Sequence, residues 1–320
     1  MKLKSYLFAT VVVGFCLGTN SLQAAFPFFE SLEVRSGAIG LDRHDDREGM
    51  ILRDNPVKSV LDRSELNLGS SAGWELSLLG HLNEKHAVEV RYFEINDFDF
   101  KTTREGIGGI GFPVTPGGVG IFGATSTADV NYTSGMSNVE VGGRWSFHED
   151  IQLLYGIRHI RHREQLNGFV VPYGFVDTTD VTFRADNQLT GFQLGLDSLL
   201  YEFGRFRLEG LVKAGIFNNH AKTSYRAIGT GPFLGSLNES ATDRDDVAAF
   251  AGEAQLTAAV AITDWLSIRA SYQFLALTNL ATADDQILGT DRSGPVTTAT
   301  NTGECPIYQG LSLMAEVRLF

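Results

Sequence analysis

The chain has almost no cysteine, little proline, no excess of positive charge and no long apolar run in its body. Each scarcity closes a class. Only Cys16 and Cys305 occur among 320 residues. Cys16 falls in a leader segment, so Cys305 stands alone and an intramolecular disulfide framework is excluded. Histidine and carboxylates at metal spacing do not surround it, and it reads as a loop thiol. Past the leader, no stretch approaches the roughly 18 consecutive apolar residues of a membrane helix. Lysine and arginine number 26 against 38 acidic residues, for a formal net charge of −12. Nucleic acid, which needs a basic face, is not an expected partner. Eight prolines against 35 glycines suit long strands that bend without losing ladder hydrogen bonds.

The leader is legible. Lys2 and Lys4 form a basic start, Tyr6 to Leu17 an apolar run too short to span a bilayer, and Leu22-Gln23-Ala24 before Ala25 a cleavage site. This is the pattern of a secretory signal peptide. Residues 1–24 are therefore set apart, and 25–320 are read as one domain, more acidic still once the two lysines are lost. Lipid attachment at Cys16 would want a small residue before it, and Phe15 stands there.

What the body does have is alternation. Leu266, Ile268, Ala270, Tyr272, Phe274 and Ala276 share one parity, and Ser267, Arg269, Ser271 and Gln273 share the other. Period 2 marks a strand with one apolar and one polar face. Ten such stretches occur. They begin near Glu30, Ser64 and Val88, end near Phe147 for the fourth, and continue from Ile151, Phe192, Phe206, Ala254, Trp265 and Leu311. Turns near Asn83, Glu149, Gly204 and Asp264 are brief. The other connections, around Asp45, Gly117, Tyr173, Gly235 and Asp291, run to a dozen residues or more, including Gly168 to Thr179 and Ala227 to Asp246.

Short turns on one side and long loops on the other are the grammar of an outer-membrane barrel. The fold class predicted is all-β: a transmembrane, antiparallel, up-and-down β-barrel of about ten strands, with short periplasmic turns and long extracellular loops. The expected location is the cell outer membrane and the first partner its lipid. Trp145, Phe147, Tyr201, Phe203, Phe206 and Trp265 crowd the short turns, as an interfacial girdle would. The C-terminal strand is the expected contact with the barrel-assembly machinery, although the terminal Phe320 is out of phase with Leu311, Leu313, Ala315, Val317 and Leu319.

Three segments carry a resemblance. Gly73–Ser77 with Ala87–Phe93, then Phe203–Asn219, and Thr263–Leu277 are similar to hairpins of the bacterial β-barrel porin 7 family. The resemblance covers about half the mature chain, in hairpins and not in loops. It implies an outer-membrane barrel called a porin by prediction rather than by assay, and brings no catalytic residue.

The remaining motifs are weighed by context. Gly106-Ile107-Gly108-Gly109-Ile110-Gly111 satisfies the dinucleotide fingerprint, but Phe112-Pro113 follows and no helix can start there to hold a pyrophosphate. It is read as a flexible loop, and no cofactor is expected. His44-Asp45-Asp46 and Asp284-Asp285 would lie on the long-loop side. Surface proteases of ten-stranded build use Asp and His there to activate water, yet acidic loops are also the ordinary hydrated crown of a barrel, and an enzyme is not expected. His159-Ile160-Arg161-His162-Arg163 places His159 and Arg161 on the lipid parity at the outer end of strand five, within reach of headgroups.

The polar parity supplies the expected lumen: Glu75, Glu89, Arg91, Glu140, Arg144, Arg158, Asp197, Arg207, Glu209, Lys213, Glu253, Arg269, Glu316 and Arg318. Both signs are mixed almost evenly. Eight strands leave an interior just filled by side chains, whereas aqueous channels need about 16 to 18. Ten lie near the filled end, so pairing across the bore competes with passage. The expected function is porin-like passage of small solutes or ions through a narrow charge-lined lumen. The alternative is a non-conducting structural or adhesion barrel whose acidic loops bind a surface partner or cations.

Overall fold

The structure is a computed structural model that describes residues 27–44, 49–54, 58–114, 119–122, 125–173, 177–231 and 235–319. The expected signal peptide and Phe320 lie outside the described residues. Ten strands form the barrel: β1 Ser31–His44, β2 Ser70–His81, β3 His86–Gly106, β4 Ser126–His148, β5 Ile151–Pro172, β6 Thr178–Phe203, β7 Phe206–Gly231, β8 Gly235–Ala261, β9 Leu266–Leu277 and β10 Ile307–Arg318. Each pairs antiparallel with its sequence neighbours, and β1 closes on β10 from Glu33↔Arg318 to His44↔Ile307. Closure leaves no barrel edge unpaired, which a sheet in lipid requires.

The alternation works as the strand grammar demands, but it changes meaning halfway up. On β7, Leu208, Val212 and Ile216 face outward and Arg207, Glu209 and Lys213 inward. Beyond that point the same outward parity carries Asn218, His220, Lys222 and Arg226, while Phe217, Ala221, Tyr225 and Ala227 are buried inside. β5 exchanges between Ile157 and His159, and β6 between Phe192 and Thr190. The lower barrel is apolar outside and charged inside, as lipid requires. The upper barrel is polar outside and apolar inside, as water requires. With its apolar exterior, Phe192 at 74% and Ile216 at 64% exposed, the closed barrel sits in the outer membrane.

The upper half exists because the middle strands are long. β6, β7 and β8 have 26, 26 and 27 residues, where a tilted strand needs about 9–11 to cross a bilayer. This corrects two expectations. Gly168–Thr179 and Ala227–Asp246 are not long loops: the ladder runs on to Thr178↔Thr230 and Gly231↔Gly235, leaving only brief connections at residues 173–177 and 232–234. Their Gly, Ser, Asn and Asp content is that of a water-facing strand, not of coil. The periplasmic turns fall as expected, with Gly204 at φ 60° reversing β6 into β7.

The Gly-rich segment after β3 is also more ordered than expected. Gly109–Phe112 pairs with Val119–Phe122 and with Met50–Asp54, which pairs in turn with Lys58–Asp62. This four-stranded sheet covers the extracellular mouth, with Ile51, Leu52, Leu61, Ile110 and Phe112 buried beneath it. The backbone N–H groups of Ile107 and Gly108 donate to Asp54 at 3.1 and 2.9 Å.

Protease added to intact cells should cut in the exposed extracellular connections, such as the one around Asp291, and spare Asp264. Peptide mapping checks this, and cutting at Asp264 in intact cells would reverse the orientation.

Candidate functional site: a lumen closed in two layers

The membrane half of the bore is filled by ion pairs. Arg91, inward on β3, donates to Glu75 at 2.6 Å, Glu253 at 2.5 Å, Glu140 at 3.3 Å and the Gln273 amide oxygen at 3.2 Å. Glu253 also meets Arg158 at 2.8 Å, and Glu140 accepts from Lys213 at 2.7 Å and from Gln193 at 2.8 Å. The Arg158 Nε also donates to the Asn138 side-chain amide oxygen at 2.6 Å. These side chains come from β2 through β9. Arg91 and Glu253 belong to strands far apart in the ladder, so their contact bridges the bore.

A second tier lies nearer the periplasm. Arg144 meets Glu89 at 2.8 Å and Asp197 at 2.6 Å. Arg35 meets Glu316 at 2.8 Å and Glu33 at 3.1 Å. Arg269 reaches Glu316 at 2.9 Å and also pairs with Glu209, while Arg207 reaches Glu316 at 3.3 Å. Arg318 pairs with Glu33 at 2.9 Å at the mouth, where its side chain is half exposed. All fourteen residues expected in the lumen are thus inward and paired with one another or with two further charges, Glu33 and Arg35. Those two were readable from β1, where they alternate with Leu32 and Val34.

What space remains is small. A cavity of about 40 Å³ lies among Arg35, Glu89, Arg91, Arg144 and Arg269, room for a few waters at roughly 10–15 Å³ each. A wider vestibule of about 300 Å³ opens at the periplasmic mouth beside Arg205, Arg207, Asp264 and Trp265.

The extracellular half is closed differently. Residues 278–306, between β9 and β10, fold into the barrel, burying Leu280, Ala283 and Ile287 in one cluster with Phe183, Leu189, Phe217 and Tyr308, and Ala281 against Ala185 and Ala221. Two amides hold this segment. Asn187 donates to the Ala281 carbonyl at 2.7 Å and accepts from the Ala281 N–H at 2.8 Å. Asn219 donates to the Asn279 carbonyl at 2.9 Å and to Asn187 at 3.0 Å. The turn is taken by Asn279 at φ 55°, a left-handed conformation that asparagine tolerates.

Asp284 is therefore not part of a hydrated acidic crown. It is 1% exposed, accepting from Arg63 at 2.7 Å and from the Tyr132 hydroxyl at 3.2 Å. The folding-in of residues 278–306 carried it down, and Arg63 and Tyr132 compensate its charge. His44 ends β1, and Asp45-Asp46 lie outside the described residues. Ser134 and His162 meet at 3.2 Å, and His162 also meets Tyr308 at 2.8 Å. Ser134, Tyr308 and Glu164 all address the same His162 nitrogen, Nε2. Those contacts make a buried polar knot inside the upper barrel. Higher up, burial first and Glu239 second push the Tyr225 phenol up, so it stays protonated at neutral pH. Among the described residues, no three His, Cys, Asp or Glu side chains are grouped to hold a metal ion.

No family model matches the chain, and no curated protein does. Among the solved structures that show a likeness are three outer-membrane proteins. The outer membrane protease OmpT of Escherichia coli is 11% identical, with 90% of this chain and 96% of that chain covered and a TM-score of 0.49. The translocator domain of autotransporter NalP from Neisseria meningitidis is 8% identical, with 99% of each chain covered and a TM-score of 0.41. The Ralstonia pickettii toluene transporter TbuX is 7% identical, with 90% of this chain and 89% of that chain covered and a TM-score of 0.35.

Two substitutions separate the layers. Arg91→Ala leaves Glu75, Glu140 and Glu253 short of their shared cation and should cost about 3–5 kcal/mol, measured by urea unfolding in lipid vesicles. Asn187→Ala removes two buried backbone partners, at about 1–3 kcal/mol each, and should raise hydrogen exchange in residues 279–289 while sparing β2 to β4.

Proposed function

We propose that this is a sealed outer-membrane barrel whose work is done at the cell surface, by the rigid extension that carries its loops above the membrane, and not by catalysis. The double closure of the lumen carries this reading: ion pairs fill the membrane half and an apolar layer fills the extracellular half. A solute crossing the barrel would have to displace both. Separating the ion pairs alone would expose charges in a partly dry bore, at several kcal/mol each. The polar outer face of long strands β5 to β8 and the covering sheet above them are what the protein offers to a surface partner.

Porin-like passage of small solutes or ions is the second reading. The observation favouring it is that the membrane half is closed by polar side chains beside a wide periplasmic vestibule, while one connection, residues 278–306, supplies much of the outer plug. In that case the plug would move aside and the charged lumen would conduct.

Planar-bilayer conductance distinguishes the two. The wild type should give no steps, and Arg144→Ala with Arg207→Ala should stay silent because the apolar layer is untouched. Replacing residues 279–304 by a short Gly-Ser linker and adding Arg91→Ala to the same double variant, so that both ion-pair tiers and the plug are broken, should open a cation-preferring path, since unpaired lumen carboxylates attract cations in a confined space. Steady conductance by the wild type would overturn the sealed reading in favour of porin-like passage.

A further inference from the structure

We propose that the outer face of β5 to β8, just above the lipid belt, binds the phosphate groups of outer-leaflet lipid. The belt ends on these four strands at Ile157, Phe192, Ile216 and Phe250, which pair across the ladder, Ile157↔Phe192↔Ile216↔Phe250. The outward positions above them can be followed in order. The first rung is His159, Thr190, Asn218 and Ala248. The second is Arg161, Gln188, His220 and Asp246, and the third is Arg163, Asp186, Lys222 and Arg244. Arg184 and Arg226 follow above on β6 and β7.

Two of these cationic or titratable groups are occupied. Arg161 pairs with Asp186 at 2.6 Å, and His220 meets Asp246 at 2.8 Å. Those contacts use up the two acids of the second and third rungs. Arg163, Lys222, Arg244 and Arg226 are exposed and meet no carboxylate among the described residues, and Arg184 meets only the Gln165 amide oxygen at 2.9 Å. Four of the ten strands thus carry a surplus of positive charge on their outer face. The contrast with β3 is sharp, where Glu94, Asp97 and Asp99 lie at the top of the belt.

Position selects the ligand. The third rung lies six residues along each strand from the last apolar residue, roughly 20 Å at ~3.4 Å per residue. With a strand tilt of about 40° that is roughly 15 Å above the hydrocarbon. Headgroups extend about 5–7 Å beyond it in a simple phospholipid leaflet. Long Lys and Arg side chains reach back down toward them, and a larger sugar-phosphate headgroup would rise to meet them. A phosphorylated glycolipid, its acyl chains on Ile157, Phe192, Ile216 and Phe250 and its phosphates on Arg163, Lys222 and Arg244, fits both faces at once. Arginine forks and lysine point charges are the groups that bind phosphate.

The test uses full-length mature protein in neutral phosphatidylcholine nanodiscs doped with a bis-phosphorylated glucosamine lipid, with bound lipid counted by native mass spectrometry. The wild type should retain the phosphorylated lipid over the same lipid with its phosphates removed. Arg163→Gln, Lys222→Gln and Arg244→Gln together should weaken retention by roughly fivefold per cation. Lys85→Gln with Lys101→Gln, two exposed lysines outside this face, should leave it unchanged. Inorganic phosphate in millimolar excess should not compete, because the acyl chains supply half the fit. Equal retention by wild type and triple variant, or by the phosphorylated and dephosphorylated lipids, would overturn the proposal. Competition by inorganic phosphate would show an anion site without lipid and overturn it too. The substituted side chains are exposed and none is in the lumen, so conductance and folding stay as in the wild type.

Discussion

Everything in this molecule follows from closing ten strands around a bore too narrow to hold bulk water. Lipid outside forces the apolar parity outward, so the polar parity has nowhere to go but in. An inward arginine then faces the opposite wall rather than solvent, and must find a carboxylate there. Arg91 meeting Glu75 from β2 and Glu253 from β8 is that constraint in one residue. Wider barrels leave such groups hydrated and conduct; this one uses them as filling.

The exchange of faces halfway up the strands comes from the same rule with the solvent changed. Once the wall leaves the membrane, its outer face meets water and its inner face no longer needs charge. A strand such as β7 keeps its parity through Lys213, Phe217 and Tyr225 inside and Ile216, Lys222 and Arg226 outside. Only the chemistry of each parity inverts. The inner face of the upper barrel is then mostly apolar, packed around the buried pairs Arg43–Glu164 and Arg63–Asp284, and the infolded segment 278–306 and the four-stranded cover complete it.

That inversion explains what the sequence shows and what it hides. Strand number, the periplasmic turns, the outward apolar rows and the inward charges were legible because lipid imposes a strict period-2 code on β7 from Phe206 to Ile216. Above Phe217 the code reads as small inward residues alternating with mixed polar ones, and Ala227 to Asp246 resembles coil although it is a hairpin. The fate of Asp284 was not legible at all. Its burial depends on Arg63, Tyr132 and the amides of Asn187 and Asn219, which lie on distant parts of the chain and meet only when the segment folds inward. Glu33 and Arg35 were different. They share the polar parity of β1 opposite Leu32 and Val34, a signal that the expected lumen set left unused.

A buried ion-pair network is often no more stabilising than apolar side chains of the same volume. What those residues add here is direction. A one-residue slip would turn every side chain to the other face, and a strand apolar on both faces would lose nothing by slipping. With Arg91, Glu140, Arg158, Lys213 and Glu253 on the inward parity, a slip puts charge into hydrocarbon, at roughly 2–4 kcal/mol for each Arg or Lys at the bilayer midplane and less for each carboxylate. Five such groups on β3, β4, β5, β7 and β8 make the correct facing far more stable than its mirror. The network that fills the membrane half of the bore therefore also decides which face of each strand meets lipid, so neutralising it wholesale would loosen the register of the barrel as well as empty that half of the bore.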